Sequence, residues 1–148
     1  MPATIRLPVS PLPFGDYATY SELTAADARD AWVVVSIYSS SHALVSTISV
    51  YWTGTAWQQL SSPADIIGSM APDGSSGLWA DGIDINPGGF WLLYHFTGGH
   101  WTSGQTPPGV DSHSPTPLTR IPGTWSLWAT GTAFNAKGNY GVILKYGP

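Results

Sequence analysis

The side chains of this sequence best suited to chemistry are its eight tryptophans. An exposed indole face takes the C–H face of a sugar ring while polar neighbours take the hydroxyls, so surplus tryptophan in a weakly charged chain suggests carbohydrate recognition. The candidates for a ligand-facing role are Trp57 and Trp101, each just after a Gly-containing turn, and Trp91 and Trp125, which have no counterpart elsewhere in the chain. The competing reading is packing, because a buried tryptophan supplies a large apolar area. Packing is assigned to Trp32, Trp79 and Trp128, which share one position in a repeat, and to Trp52, with Phe96 and Tyr146 at the equivalent sites.

Other chemistry is thinly supplied. Asp81 and Asp84 have the residue type of an acid and base flanking a glycosidic bond, but Asp81 aligns with Val34 and Thr130 in the repeat, so the pair occurs once only. Metal binding needs converging ligands. His95 aligns with Tyr51 and Lys145, and His42 and His113 lie in Ser/Pro-rich stretches that read as loops, so a surface or loop role is expected for the four histidines, His100 included. Three scattered arginines and a single glutamate, Glu22, exclude a sialidase-type site, which needs an arginine cluster with a Tyr/Glu nucleophile pair. Pro87-Gly88-Gly89 and Thr97-Gly98-Gly99 are hairpin turns, since no GK[ST] follows them. The sequence therefore assigns no catalytic residue, no metal and no cofactor, and the expectation is a protein that is not an enzyme.

Composition narrows the partners. Charged residues are 9% of the chain against about 25% in an ordinary soluble domain, while 43% are apolar, so the chain must fold to hide them. Arg6, Arg29, Arg120, Lys137 and Lys145 form no basic patch, which argues against nucleic acid and anionic membranes. No apolar run has the length of a membrane helix, and Met1-Pro2-Ala3-Thr4-Ile5-Arg6 has no signal-peptide core. Without cysteine there is no disulfide framework to indicate a compartment.

The elements that position these residues follow from an internal repeat. SELTAADARDAW ending at Trp32, GSMAPDGSSGLW ending at Trp79 and PLTRIPGTWSLW ending at Trp128 align without gaps. A second block follows each: Val45 to Gly54, Gly89 to Gly98 and Asn139 to Gly147, all ending in an aromatic residue and glycine. Two continue into Thr55-Ala56-Trp57 and Gly99-His100-Trp101, and the third stops. Val, Ile, Trp, Tyr and Thr bounded by Gly, Pro, Asp and Ser mark short strands joined by tight turns. One unit reads as four strands, 17–24, 31–37, 45–52 and 56–60, and a four-stranded antiparallel sheet repeated every 40 to 50 residues or so is a propeller blade. The expected fold is all-β, a β-propeller with three blades per chain. Residues 14–63, 64–108 and 109–148 are the blades, the last without its fourth strand, and residues 1–13 carry a strand that completes a C-terminal blade.

The repeat resembles a family of extracellular bacterial β-propeller repeats with a W-A-V-G segment followed by W-N-G-x-x-W and a Pro-containing linker. The matching residues are Leu23 to Trp32, Ser76 to Gly82, Trp52 to Pro63 and the closing run Ile121 to Gly131. The Trp52-Thr53-Gly54-Thr55-Ala56-Trp57 turn is also similar to that of small propeller lectins assembled from short chains. These resemblances imply a secreted or cell-surface location and attach no activity to the repeat. The leading functional reading is a non-catalytic recognition module that binds glycans through exposed tryptophan; the alternative is a structural or protein-interaction scaffold. Three blades cannot close a ring well, since propellers have about four to eight, so the expected partner is a second copy, in a homo-oligomer that is most simply a six-bladed dimer.

Overall fold

The computed structural model describes residues 10–85, 91–103 and 112–147. No helix occurs among them. Eleven strands form three antiparallel meanders. The first contains β1 (Tyr17–Ala25), β2 (Ala31–Tyr38), β3 (Leu44–Trp52) and β4 (Trp57–Ser61). The second contains β5 (Ile66–Pro72), β6 (Leu78–Ile83), β7 (Trp91–Thr97) and β8 (His100–Ser103). The third contains β9 (Ser112–Arg120), β10 (Leu127–Asn135) and β11 (Gly138–Tyr146). The chain divides into two compact units, Met1–Ser62 with the first sheet and Pro63–Pro148 with the other two. The proposed N-terminal strand falls in residues 1–9, outside the described residues.

The register reproduces the repeat read from the sequence. Trp32 pairs with Tyr51, Trp79 with His95 and Trp128 with Lys145, each across the second and third strands of its sheet. The first strand of every sheet also carries a one-residue bulge at the same place, opposite the second residue after the anchor tryptophan. The shifts fall between Tyr20 and Glu22 opposite Val34, between Ile67 and Met70 opposite Asp81, and between Leu118 and Pro115 opposite Thr130. A bulge re-aims side chains and increases twist, so three sheets bent at one position are variants of a single unit.

The first hairpin turn of each sheet is closed by local hydrogen bonds. Asp27 accepts from the N–H groups of Arg29 and Asp30, Asp73 from those of Ser75 and Gly77, and the Thr124 hydroxyl from that of Ser126. Asp and Thr recur here because a short side-chain acceptor satisfies turn N–H groups that have no strand partner.

In the 10–62 region β2 is buried on both faces from Trp32 to Val35, as befits a central strand of β-branched residues. Val33, Val35 and Val50 form its cluster, with Ala18 and Trp57 against them. In the second unit the two sheets pack face to face. Ala71, Leu93 and Trp79 from one meet Leu118, Leu127, Ala129, Leu144 and Tyr146 from the other. The contact runs through β9, which meets β5, β6 and β7.

One expectation is corrected here: His113 lies within strand β9, not in a loop. Pro115 and Pro117 make the segment read as a loop, since proline cannot donate to a ladder. Among the described residues β9 is an edge strand of its sheet, paired with β10 alone, and an edge tolerates that loss.

Candidate functional site

The four tryptophans singled out above occupy different settings. Trp57 begins β4 and tilts against Trp52, its cross-strand partner, with ring centroids 5.5 Å apart. Its indole N–H is buried without an acceptor among the described residues, so that group is turned away from any solvent-borne ligand. Trp101 repeats the arrangement on β8, 5.2 Å from Phe96. Both are half-buried in aromatic pairs that close the outer end of a sheet. Trp91 starts β7, also half-buried. A β-carbon on Gly68 would sit 2.8 Å from its ring, so the bulge in β5 needs glycine there for the indole to lie flush.

Trp125 is the exposed member. It lies in the turn between β9 and β10 with 41% of its surface accessible. Its ring packs on Gly74 of the β5–β6 turn, where a β-carbon would overlap the indole, and Gly74 holds φ +83°, a conformation glycine adopts without cost. The Arg120 guanidinium lies 4.5 Å from the ring centroid, within cation–π range. Thr124 ties the turn by accepting from Ser126 N–H at 3.1 Å and donating to the Ile121 carbonyl at 3.0 Å. Two turns from adjacent sheets thus hold one indole at the surface.

Beside Gly74 stands an anchor group that sequence reasoning did not find. The Asp73 carboxylate accepts from Ser75 N–H at 2.7 Å, from the Ser75 hydroxyl at 2.9 Å and from Gly77 N–H at 2.9 Å, and its second oxygen pairs with His95 Nε2 at 2.7 Å. His95 in turn stacks on Trp79 with centroids 4.0 Å apart and planes 10° from parallel. Burial pushes the Asp73 carboxyl upward, but the Ser75 N–H, the His95 ring, the Ser75 hydroxyl and the Gly77 N–H outweigh it and hold the group below the ordinary aspartate value. The surface or loop role expected of His95 is therefore corrected: it is half-buried and braces the turn under Trp125. The first sheet places Tyr51 at this position, stacked on Trp32 at 5.2 Å with its hydroxyl donating to Asp30. A partly legible signal existed in the acid preceding the first two anchors, Asp30 and Asp73, but their different spacings hid the equivalence.

Asp81 and Asp84 do not form an accessible pair. Asp81 is fully buried and its carboxylate accepts from Ser69 N–H at 2.7 Å and from the Ser69 hydroxyl at 2.8 Å. The same hydroxyl accepts from Leu118 N–H at 2.9 Å, which joins β5 to β9. Asp81 is thus a clamp on the bulge. Asp84 is exposed and accepts from Asp65 N–H at 3.3 Å. His42 Nδ1 pairs with the Tyr17 hydroxyl at 2.8 Å, and His100 Nδ1 lies 3.3 Å from the Gly98 carbonyl. Among the described residues no three His, Asp or Glu side chains converge as metal ligands would.

The chain matches no protein-family model, no curated protein and no solved structure.

Proposed function

We propose that the chain is a non-catalytic recognition module made of propeller blades, and that Trp125 is its principal carbohydrate-stacking residue. The observation that carries the reading is the contrast among the four tryptophans: three are half-buried in sheets, and Trp125 stands at the surface on a braced turn. The indole is held rigidly at the surface, and the Arg120 guanidinium over its ring puts charged N–H donors next to the apolar area left exposed for a sugar. Because Gly74 and the Asp73 turn hold the indole in place, little ordering cost remains for binding. The blade arrangement is supported by the shared register, the shared bulge and the face-to-face packing of the second and third sheets.

Titrating the intrinsic tryptophan fluorescence with monosaccharides and plant or bacterial glycans tests the proposal. A saturable change is expected, and Trp125→Ala should weaken it by about tenfold or more, the loss of one good stacking contact. A flat response to millimolar sugars throughout would favour the second reading, a structural or protein-interaction propeller. The pairing of Trp57 with Trp52 and of Trp101 with Phe96 supports that alternative, since it commits those rings to packing.

A further inference from the structure

The packing within the second unit defines a front and a back for each sheet. The front of β5–β8 presents Trp79 and, on the neighbouring strand, Leu93; it covers the back of β9–β11, where Leu118, Ala129 and Leu144 lie side by side across the ladder. Exposed residues recur at positions of both halves of this interface: Trp128 and Ile143 on a front, Leu23 and Tyr20 on a back.

On the front of β9–β11, Trp128 and Ile143 hold the positions of Trp79 and Leu93. Trp128 is the anchor residue and Ile143 pairs opposite Thr130, as Leu93 pairs opposite Asp81. Leu93 is buried, whereas Trp128 is 44% exposed and Ile143 73%. On the back of β1–β4, Leu23 pairs opposite Val33 as Leu118 pairs opposite Ala129, and Val33 pairs with Val50 as Ala129 does with Leu144. Leu118 is buried, whereas Leu23 is 71% exposed and its neighbour on the same face, Tyr20, 66%. Trp128 and Ile143 on a front, and Leu23 and Tyr20 along the β1 side of a back whose centre of Val33, Val35 and Val50 is buried, are complementary by the geometry the chain already uses once.

We propose that the front of β9–β11 docks on the back of β1–β4 of a second copy of this chain, Trp128 and Ile143 seating against Leu23 and Tyr20. The contact is heterologous, a front meeting a back, so each copy has one of each to offer and association closes into a ring when the rotation permits. Repetition of an interface already present in the fold selects a second copy over an unrelated partner. The inference rests on the blade reading and is independent of sugar binding.

Sedimentation or light scattering at micromolar concentration tests it with three variants. The wild type should show at least twice the 15.7 kDa chain mass. Ile143→Asp on the front and Leu23→Asp on the back should each weaken association by about 30-fold or more, as burying a charge in a central contact does. Both positions are exposed within the chain, and an unchanged far-UV circular dichroism spectrum shows that the monomer stays folded. Trp125→Ala should assemble like the wild type while losing its fluorescence response, which separates this interface from the proposed sugar site. A monomeric wild type, or a Leu23→Asp variant that assembles as the wild type does, overturns the proposal.

Discussion

Three residues show how backbone constraint and polar pairing support the second unit. Gly74 combines a positive φ with an approach to Trp125 that admits no β-carbon. Gly74→Ala should cost about 1 to 2 kcal/mol from the backbone alone, and it should also displace the indole, shifting its emission and reducing any sugar response; an unchanged spectrum would mean that Gly74 does not set the ring. Asp81 is buried with Ser69 as its partner on two bonds. Asp81→Ala leaves a buried N–H and hydroxyl without their acceptor and should cost about 3 kcal/mol, read as a lower urea midpoint, with Asp81→Asn milder because an acceptor oxygen remains. Asp73 adds a pH dependence. Its folded pKa is depressed, so its stabilisation is full above the unfolded value of about 3.9 and is lost as pH falls through the lower folded value. The difference in melting temperature between wild type and Asp73→Asn should be full at neutral pH and narrow in acid below about pH 4. A difference that persists unchanged in stronger acid would assign it to something other than the carboxylate.

At the scale of the elements, position within the sheet decides how firmly each strand is held. β2, β6 and β10 are paired on both sides, while β4 and β8 are short, outermost and rich in exposed residues. Amide hydrogen exchange should therefore be slowest in β2, β6 and β10 and fastest in β4 and β8. Equal protection of inner and outer strands would show that the sheets open only as wholes. The recurring bulge belongs to this scale too. It bends each first strand at one place, and in the second sheet it is held by Asp81 and by the Ser69 hydroxyl that also receives Leu118 N–H from β9.

For the whole molecule, the outer edge of β11 bears on the proposed role of residues 1–9. In the first two sheets the third strand is paired on both sides, whereas β11 pairs with β10 alone among the described residues. An unpaired edge invites association with other chains. If Ala3-Thr4-Ile5-Arg6-Leu7-Pro8 fills the fourth-strand position, deleting residues 1–9 should bring aggregation or loss of a cooperative melt. A soluble truncated protein with the wild-type transition would remove that role from the segment.

Strand positions, the antiparallel meander and the register of the anchor pairs were legible in the sequence. They follow from local causes: alternation of side chains across a strand, β-branched and aromatic runs, and Gly, Asp or Thr at turns. The predicted span 17–24 became Tyr17–Ala25, and 56–60 became Trp57–Ser61. What no local rule decides is which face of a sheet another sheet covers. Trp32, Trp79 and Trp128 have the same place in the repeat, yet Trp32 is buried, Trp79 is packed between two sheets and Trp128 lies open. His113 was hidden because the edge position that tolerates prolines is a property of the assembled sheet. Trp125 could be separated from Trp57, Trp91 and Trp101 only by tertiary structure, because its exposure depends on a glycine 51 residues earlier that brings a second turn beneath it. Strand pairing is written in periodicity along the chain; exposure depends on distant segments meeting in space.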